Sequence, residues 1–199
     1  MSLKTQKLFF KNEDTITGPL LITPNVFKDE RGFFMESWNI KDWEKILNKD
    51  NQSINNFVQD NHSKSTRGVL RGLHYQKNPY AQGKLVRCIS GEIFDIAVDI
   101  RNNSPTFGKW VGDILSCDNK NQLWIPEGFA HGFLTLSSTA DVAYKATNFY
   151  NKESEGSIIW NDDFININWE DYIKKELILV SEKDNLAPKL CDIDLFNLF

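Results

Sequence analysis

Three histidines, His62, His74 and His131, are the only imidazoles in the 199-residue chain, so acid–base chemistry near neutral pH falls to them first. The most chemically loaded stretch is Arg67-Gly68-Val69-Leu70-Arg71-Gly72-Leu73-His74-Tyr75-Gln76, followed after a short loop by Gln82-Gly83-Lys84. An arginine, a histidine and a lysine turned into a small barrel are costly unless an anionic or strongly polar ligand compensates them. Turned outward, they are ordinary surface charge. Strict strand alternation puts His74 on the face of Leu70 and Gly72, with Arg71 on the opposite face beside Leu73. A shared cavity therefore requires a bulge near Gly72 or a rim position for Arg71. Tyr144 and Tyr150 share one parity, so an unbroken strand aims both rings the same way, into core packing or into a site. A phenol of pKa about 10 keeps its proton at neutral pH and an imidazole near about 6.5 is mostly neutral, which makes them a natural donor and acceptor.

Pro126-Glu127-Gly128-Phe129-Ala130-His131 has the P-x-G-x-x-H spacing found in cupin-type jelly rolls. Metal-binding cupins add an H-x-H pair on an earlier strand and a downstream Glu. The corresponding place here is His74-Tyr75-Gln76, and Gln76 is not an imidazole. A metal centre needs three or four convergent ligands and only two can be assembled, so neither metal nor cofactor is expected. Cys88, Cys117 and Cys191 are an odd set without a CxxC pair and read as reduced, structural thiols.

The elements that must position these residues are strands. Phe, Trp and Tyr make up 13% of the chain, a composition that suits pleated, half-buried surfaces. From Glu92 to Ile100, Phe94, Ile96, Val98 and Ile100 share a face expected to be core, and Asp95 and Asp99 fall on the other. Similar runs span Leu20–Thr23, Phe33–Trp38, Leu70–Gln76, Lys84–Ile89, Trp110–Ser116, Leu123–Pro126, Phe133–Leu136 and Val142–Phe149, separated by turn signals such as Ser90-Gly91 and Pro126-Glu127-Gly128. Strands this closely spaced exclude a βαβ fold and specify an all-β sandwich or barrel. One helix is expected at Ile40–Asn48 after an Asn39 cap, and a second near Glu170–Glu176. A single domain over residues 1–199 is expected, with a barrel core at about 18–160 and an irregular appendage at about 161–199 that packs back on it.

Charge and hydropathy narrow the partners. With 23 Lys+Arg against 27 Asp+Glu and no basic run, neither nucleic acid nor an anionic membrane surface is an expected partner. Apolar stretches of four or five residues are far too short for a bilayer span. The N-terminal Met-Ser-Leu-Lys-Thr-Gln-Lys has charge without a following apolar core, so a cytoplasmic location is expected.

Taken together, Gly68 to Gln76, Gln82 to Arg87, Asp95 to Arg101, Ser104 to Gly108 and Trp124 to Phe133 closely resemble the dTDP-4-dehydrorhamnose 3,5-epimerases, over about Gly18 to Leu190. The resemblance implies a cupin-like jelly roll, a homodimer and no metal. It also implies epimerisation at C3 and C5 of dTDP-4-dehydro-6-deoxy-D-glucose to dTDP-4-dehydro-L-rhamnose. Carried over by motif, His74 is the general base, Asp184 its orienting carboxylate with Asp163 as fallback, Lys84 the enolate stabiliser and Tyr144 the general acid. The nucleotide-sugar contacts fall on Arg31, Glu36, Gln59, Asn61, Arg71, His131, Glu155 and Lys183, joined by Tyr150. A related 3-epimerase or 4-keto isomerase shares base and fold but differs in reprotonation, and a non-catalytic sugar-binding module needs the groove without the acid–base pair.

Overall fold

The computed structural model describes residues 3–9, 15–49 and 56–194. In chain order the elements are β1 (Lys4–Phe9), β2 (Thr15–Thr23), β3 (Phe27–Asp29), β4 (Gly32–Phe34), α1 (Ile40–Lys49), β5 (Gln59–Thr66), β6 (Val69–Gln76) and β7 (Lys84–Ser90). There follow β8 (Glu92–Asp99), β9 (Trp110–Ser116), β10 (Gln122–Ile125), β11 (Phe129–Thr135), β12 (Thr139–Ala146), β13 (Glu155–Ser157), β14 (Leu179–Val180) and the one-turn α2 (Glu182–Asn185). One sheet runs β1-β2-β10-β7-β12-β5 and the other β13-β6-β11-β8-β9, with β14 parallel beside β6. The chain is thus the expected all-β jelly roll. The last five residues of the expected appendage, 195–199, lie outside the described residues.

Apolar alternation decides where each strand packs. Val86, Ile93, Ala97, Leu115, Leu123, Phe133 and Val142 fill the space between the sheets. Each of these apart from Ala97 contributes roughly 1.5–3 kcal/mol when fully buried. The other parity of β8, Phe94, Ile96 and Val98, points out of the barrel and is covered by Ile165, Trp169, Ile173 and Leu190 of the C-terminal segment. Strand β8 is therefore buried on both faces, and the expectation of a single core face there is corrected. Asp95 and Asp99 have no solvent exposure at all. Asp99 survives burial because Arg101, Ser104 and Thr106 all donate to its carboxylate.

The outer face of the first sheet is closed by α1. Asn39 caps it by accepting the Lys41 N–H at 3.1 Å, as expected, and Trp43 and Leu47 pack on Leu20, Leu85 and Trp124. The second expected helix is absent. Residues 169–177 form two short 3-10 turns with Lys174 extended between them, because Trp169 and Ile173 are held in the core while Leu179 is drawn into a backbone bond with Gly68. The expected strand Phe33–Trp38 shrinks to Gly32–Phe34 in an exposed hairpin with β3, and Val142–Phe149 ends at Ala146. Strand β5, all polar in sequence, carries no hydrophobic signal and was not anticipated. It forms because β12 offers it a continuous ladder from Gln59 to Thr66.

One irregularity positions the site. His131 of β11 pairs with His74 of β6, yet Phe133 pairs with Arg71, so Gly72 and Leu73 together oppose Gly132. This bulge, one of the two solutions alternation required, returns Arg71 to the face of His74. Leu73 then joins Leu70 in the outer core. Gly72 permits it: φ is +133°, and a Cβ there would lie 2.6 Å from the Gly132 Cα and 2.9 Å from the His131 oxygen. Gly72→Ala is expected to destabilise by about 2 kcal/mol or more. A urea midpoint equal to that of the unsubstituted protein would contradict this account.

Candidate active site

His74 and His131 face each other across neighbouring strands, which brings their Cβ atoms to about 5 Å on one surface of the sheet. Each imidazole is held by a carboxylate through the same ring nitrogen. His74 Nε2 lies 2.7 Å from Asp184 Oδ1, and His131 Nε2 lies 2.7 Å from Asp95 Oδ1. Asp184 reaches the barrel from α2, whose N-cap Ser181 accepts the Asp184 N–H at 3.1 Å. Its second oxygen accepts from the Gly72 N–H at 3.4 Å, so the bulge and the carboxylate fix each other. Burial opposes the Asp184 charge, but these hydrogen bonds and the imidazole outweigh it and hold the carboxyl below its ordinary range. The fallback Asp163 is on the surface, paired with Lys189, and is discarded.

Lys84 opens β7 with 9% exposure, its Nζ 3.5 Å from the His74 carbonyl oxygen and 5.9 Å from the centroid of the Tyr144 ring. Burial brings its pKa down to about 8, against the opposing pull of Asp95 and then Glu155. Tyr144, on β12, packs against the barrel core. Burial raises its pKa above the ordinary phenol value, partly offset by Arg71, so the ring keeps its proton at neutral pH. Arg71 is steadied by Ser65 of β5, which accepts from its Nε at 3.0 Å.

A second group surrounds these residues. Lys183 and the Tyr150 hydroxyl both donate to Glu155 Oε2, at 2.6 and 3.3 Å. Burial opposes the Glu155 charge, but Lys183 more than offsets it and the carboxyl stays below its ordinary range. Gln59 accepts the Tyr150 N–H at 2.9 Å and donates to Asn61, which stands opposite Tyr144 in the ladder. Tyr150 lies beyond the end of β12, so parity with Tyr144 does not aim it. Side-chain bonds to its loop do.

Eleven expected residues are thus linked, and Arg31 and Glu36 are not among them. Arg31 is on the β3–β4 hairpin with its side chain 86% exposed, paired with Asp29, and Glu36 accepts from Asn39. Phe33 of that hairpin lies under Lys120, just before the Gln122 end of β10, whereas Lys84 pairs at the Ile125 end. His62 pairs with Asp141 on the sheet's outer side.

Two members of the site were missed. Asp95 was assigned to a polar face, although its parity mates Ile93 and Ala97 are apolar and signalled burial. Gln76 was noted only for not being an imidazole. Its amide donates to the Tyr80 and Phe149 carbonyls and accepts the Asn151 N–H, so it pins the loop that carries Tyr150. Among the described residues no group of three or more His, Cys, Asp or Glu is placed to hold a metal ion.

An imidazole held by a carboxylate, a protonated phenol and a buried ammonium suit proton transfer at a carbon next to a carbonyl. Comparison with known proteins points the same way. A family model described as dTDP-4-dehydrorhamnose 3,5-epimerase matches residues 13–192. The dTDP-4-dehydrorhamnose 3,5-epimerase of Shigella flexneri is 59% identical over 181 residues, 91% of this chain and 96% of that one. A solved dTDP-6-deoxy-D-glucose-3,5-epimerase from Legionella pneumophila Philadelphia 1, in complex with dTDP-4-keto-L-rhamnose, is 47% identical with a TM-score of 0.85, covering 98% of this chain and 97% of that one. A 3'-monoepimerase from Streptomyces bikiniensis, in complex with dTDP-quinovose, is 29% identical with a TM-score of 0.79, over 87% and 84% of the two chains.

The buried ammonium gives a direct measurement. Lys84 should titrate near pH 8 when followed by NMR of its side-chain nitrogen, charged below that and neutral above. A midpoint above 10 would mean that the group is solvated.

Proposed function

The chain belongs to the dTDP-4-dehydrorhamnose 3,5-epimerase family, and from that premise we propose how its residues carry the reaction. It is an isomerase that inverts C3 and C5 of dTDP-4-dehydro-6-deoxy-D-glucose to give dTDP-4-dehydro-L-rhamnose. The hydrogens on C3 and C5 are acidic because each carbon adjoins the C4 ketone, and removing either leaves an enolate with its charge on the C4 oxygen. Inversion then needs a proton returned to the opposite face.

His74 is the general base. The observation that carries this is its 2.7 Å bond to Asp184, beside the buried Lys84 and the protonated Tyr144. The Nε2–H bond leaves Nδ1 with the lone pair that takes the proton, and Asp184 stabilises the imidazolium that results. The Lys84 ammonium meets the enolate oxygen, where fixed charge in a dry cavity is worth several kcal/mol to the transition state. Tyr144 delivers the proton from the other side. With His74 taking the proton on one face of the sugar and Tyr144 returning it on the other, net inversion follows.

Arg71, His131, Glu155, Lys183, Tyr150, Gln59 and Asn61 hold the nucleotide-sugar, whose diphosphate supplies binding energy remote from the reacting carbons. The barrel and the C-terminal segment act as one unit, since His74 lies on the first and Asp184 and Lys183 on the second. We assign a homodimer: the hairpin exposes Phe27, Phe33 and Phe34, and the expected ligand residues Arg31 and Glu36 lie away from this chain's own cluster. Placement in the cytoplasm fits a biosynthetic sugar-nucleotide enzyme, and no helix of the described residues is long and apolar enough to cross a membrane.

Incubated with the 4-keto sugar nucleotide in heavy water, the protein should incorporate deuterium at both C3 and C5, read by NMR. Label at C3 alone would make it a mono-epimerase. His74→Ala should lower exchange at both carbons by about 10²–10⁴-fold while nucleotide-sugar binding changes little. Equal loss of binding and turnover would reduce His74 to a positioning role. Tyr144→Phe should still exchange protons yet accumulate little inverted product, and normal inversion by that variant would require another donor.

A further inference from the structure

Asp95 has no part in the roles assigned above, yet its position calls for a cause. It lies in the middle of β8 with 0% exposure. Its Oδ1 accepts from His131, and its Oδ2 has no hydrogen-bond partner among the described residues. A carboxylate that deep is strongly unfavourable unless positive charge or donors compensate it. The groups facing Lys84 are His74 from β6, Tyr144 from β12, His131 from β11, Asp95 from β8 and Glu155 from β13. Burial weakens the ammonium, and Asp95 is the largest charge acting against that, ahead of Glu155.

The tautomer of His131 follows from the same contact. Its Nε2 is committed to Asp95, while Nδ1 is neither hydrogen-bonded nor among the buried side-chain atoms left without a partner. Among the described residues Nδ1 is therefore left available to a ligand, on the face of the sheet that carries His74 and beside the Tyr144 ring. With the proton on Nε2, it offers a lone pair, which a sugar hydroxyl can donate to. With the proton on Nδ1, the ring would be a donor there and would meet a different group of the sugar.

We propose, resting on the reaction assigned above, that Asp95 is a positioning residue: it holds His131 as an Nδ1 acceptor for a hydroxyl of the ketose. Asp95 touches no reacting atom. Its effect on the reaction runs through the tautomer of His131.

Long-range nitrogen–proton NMR of the imidazoles tests this on the unaltered protein, which has only three histidines to assign. His131 should carry its proton on Nε2 and be bare at Nδ1 at pH 7. The opposite tautomer overturns the proposal, and this readout does not depend on any variant folding. Asp95→Leu removes the acceptor while keeping the side chain's branched shape. The same NMR should then show the Nε2 proton preference of His131 lost, with KM for the nucleotide-sugar raised severalfold. A variant folded by circular dichroism that keeps the Nε2 proton overturns the proposal alone. An unaltered enzyme that incorporates no deuterium at C3 or C5 removes the reading beneath it.

Discussion

One extra residue in one strand organises this site. A regular β6 would send Arg71 and His74 to opposite faces, and only one of them could lie on the inner side of the sheet. Placing Gly72 and Leu73 against the single Gly132 restores Arg71 to the inner side and sends Leu73 into the outer core, so the bulge serves packing and chemistry together. The backbone on both strands must be glycine there. A Cβ on Gly72 would meet Gly132, and a Cβ on Gly132 would meet Leu73 and the Arg71 carbonyl. The Asp184 carboxylate closes the arrangement by accepting from the Gly72 N–H as well as from His74.

The interior that results is unusual in its charge. An ammonium, the His131 imidazole and the carboxylates of Asp95 and Asp184 are buried beside the half-buried His74, where isolated ions are strongly disfavoured. They are tolerated because they occur in compensating sets: His74 with Asp184, His131 with Asp95, and Lys84 facing Asp95 and Glu155. The ammonium is the least settled member, its pKa brought to about 8, and that makes it the group most responsive to a neighbour that gains or loses charge. An enolate oxygen is such a neighbour. Charge that forms during the reaction supplies what the resting cavity lacks, and this is preorganisation in the electrostatic sense.

The C-terminal segment has two jobs that pull on the same residues. Ile165, Trp169, Ile173 and Leu190 cover the outer face of β8, and between Ile173 and Leu190 the chain brings Lys183 and Asp184 to the ligand side of β6 and β13. Covering the sheet therefore fixes where the second carboxylate lands. This segment is irregular because its course is set by the surface it must follow, with short 3-10 turns and a two-residue strand in place of longer elements.

Much of this was present in the order of residues. Alternation along β6 to β12, the turn signals and the Asn39 cap determined an all-β barrel and its helix at Ile40, because side-chain parity and capping are local properties, whereas the helix expected near Glu170–Glu176 gave way to 3-10 turns. The His74, Lys84 and Tyr144 motifs marked the chemistry for the same reason: their types restrict what they can do wherever they lie. Three things were decided only by the tertiary structure. The bulge at Gly72 depends on which strand lies opposite, the burial of Asp95 depends on a second layer over β8, and the choice of Asp184 over Asp163 depends on the path of a segment with no periodicity of its own. Strand parity is written into neighbouring residues, whereas register, burial and partner are properties of two chain segments at once, and no single stretch of sequence contains both.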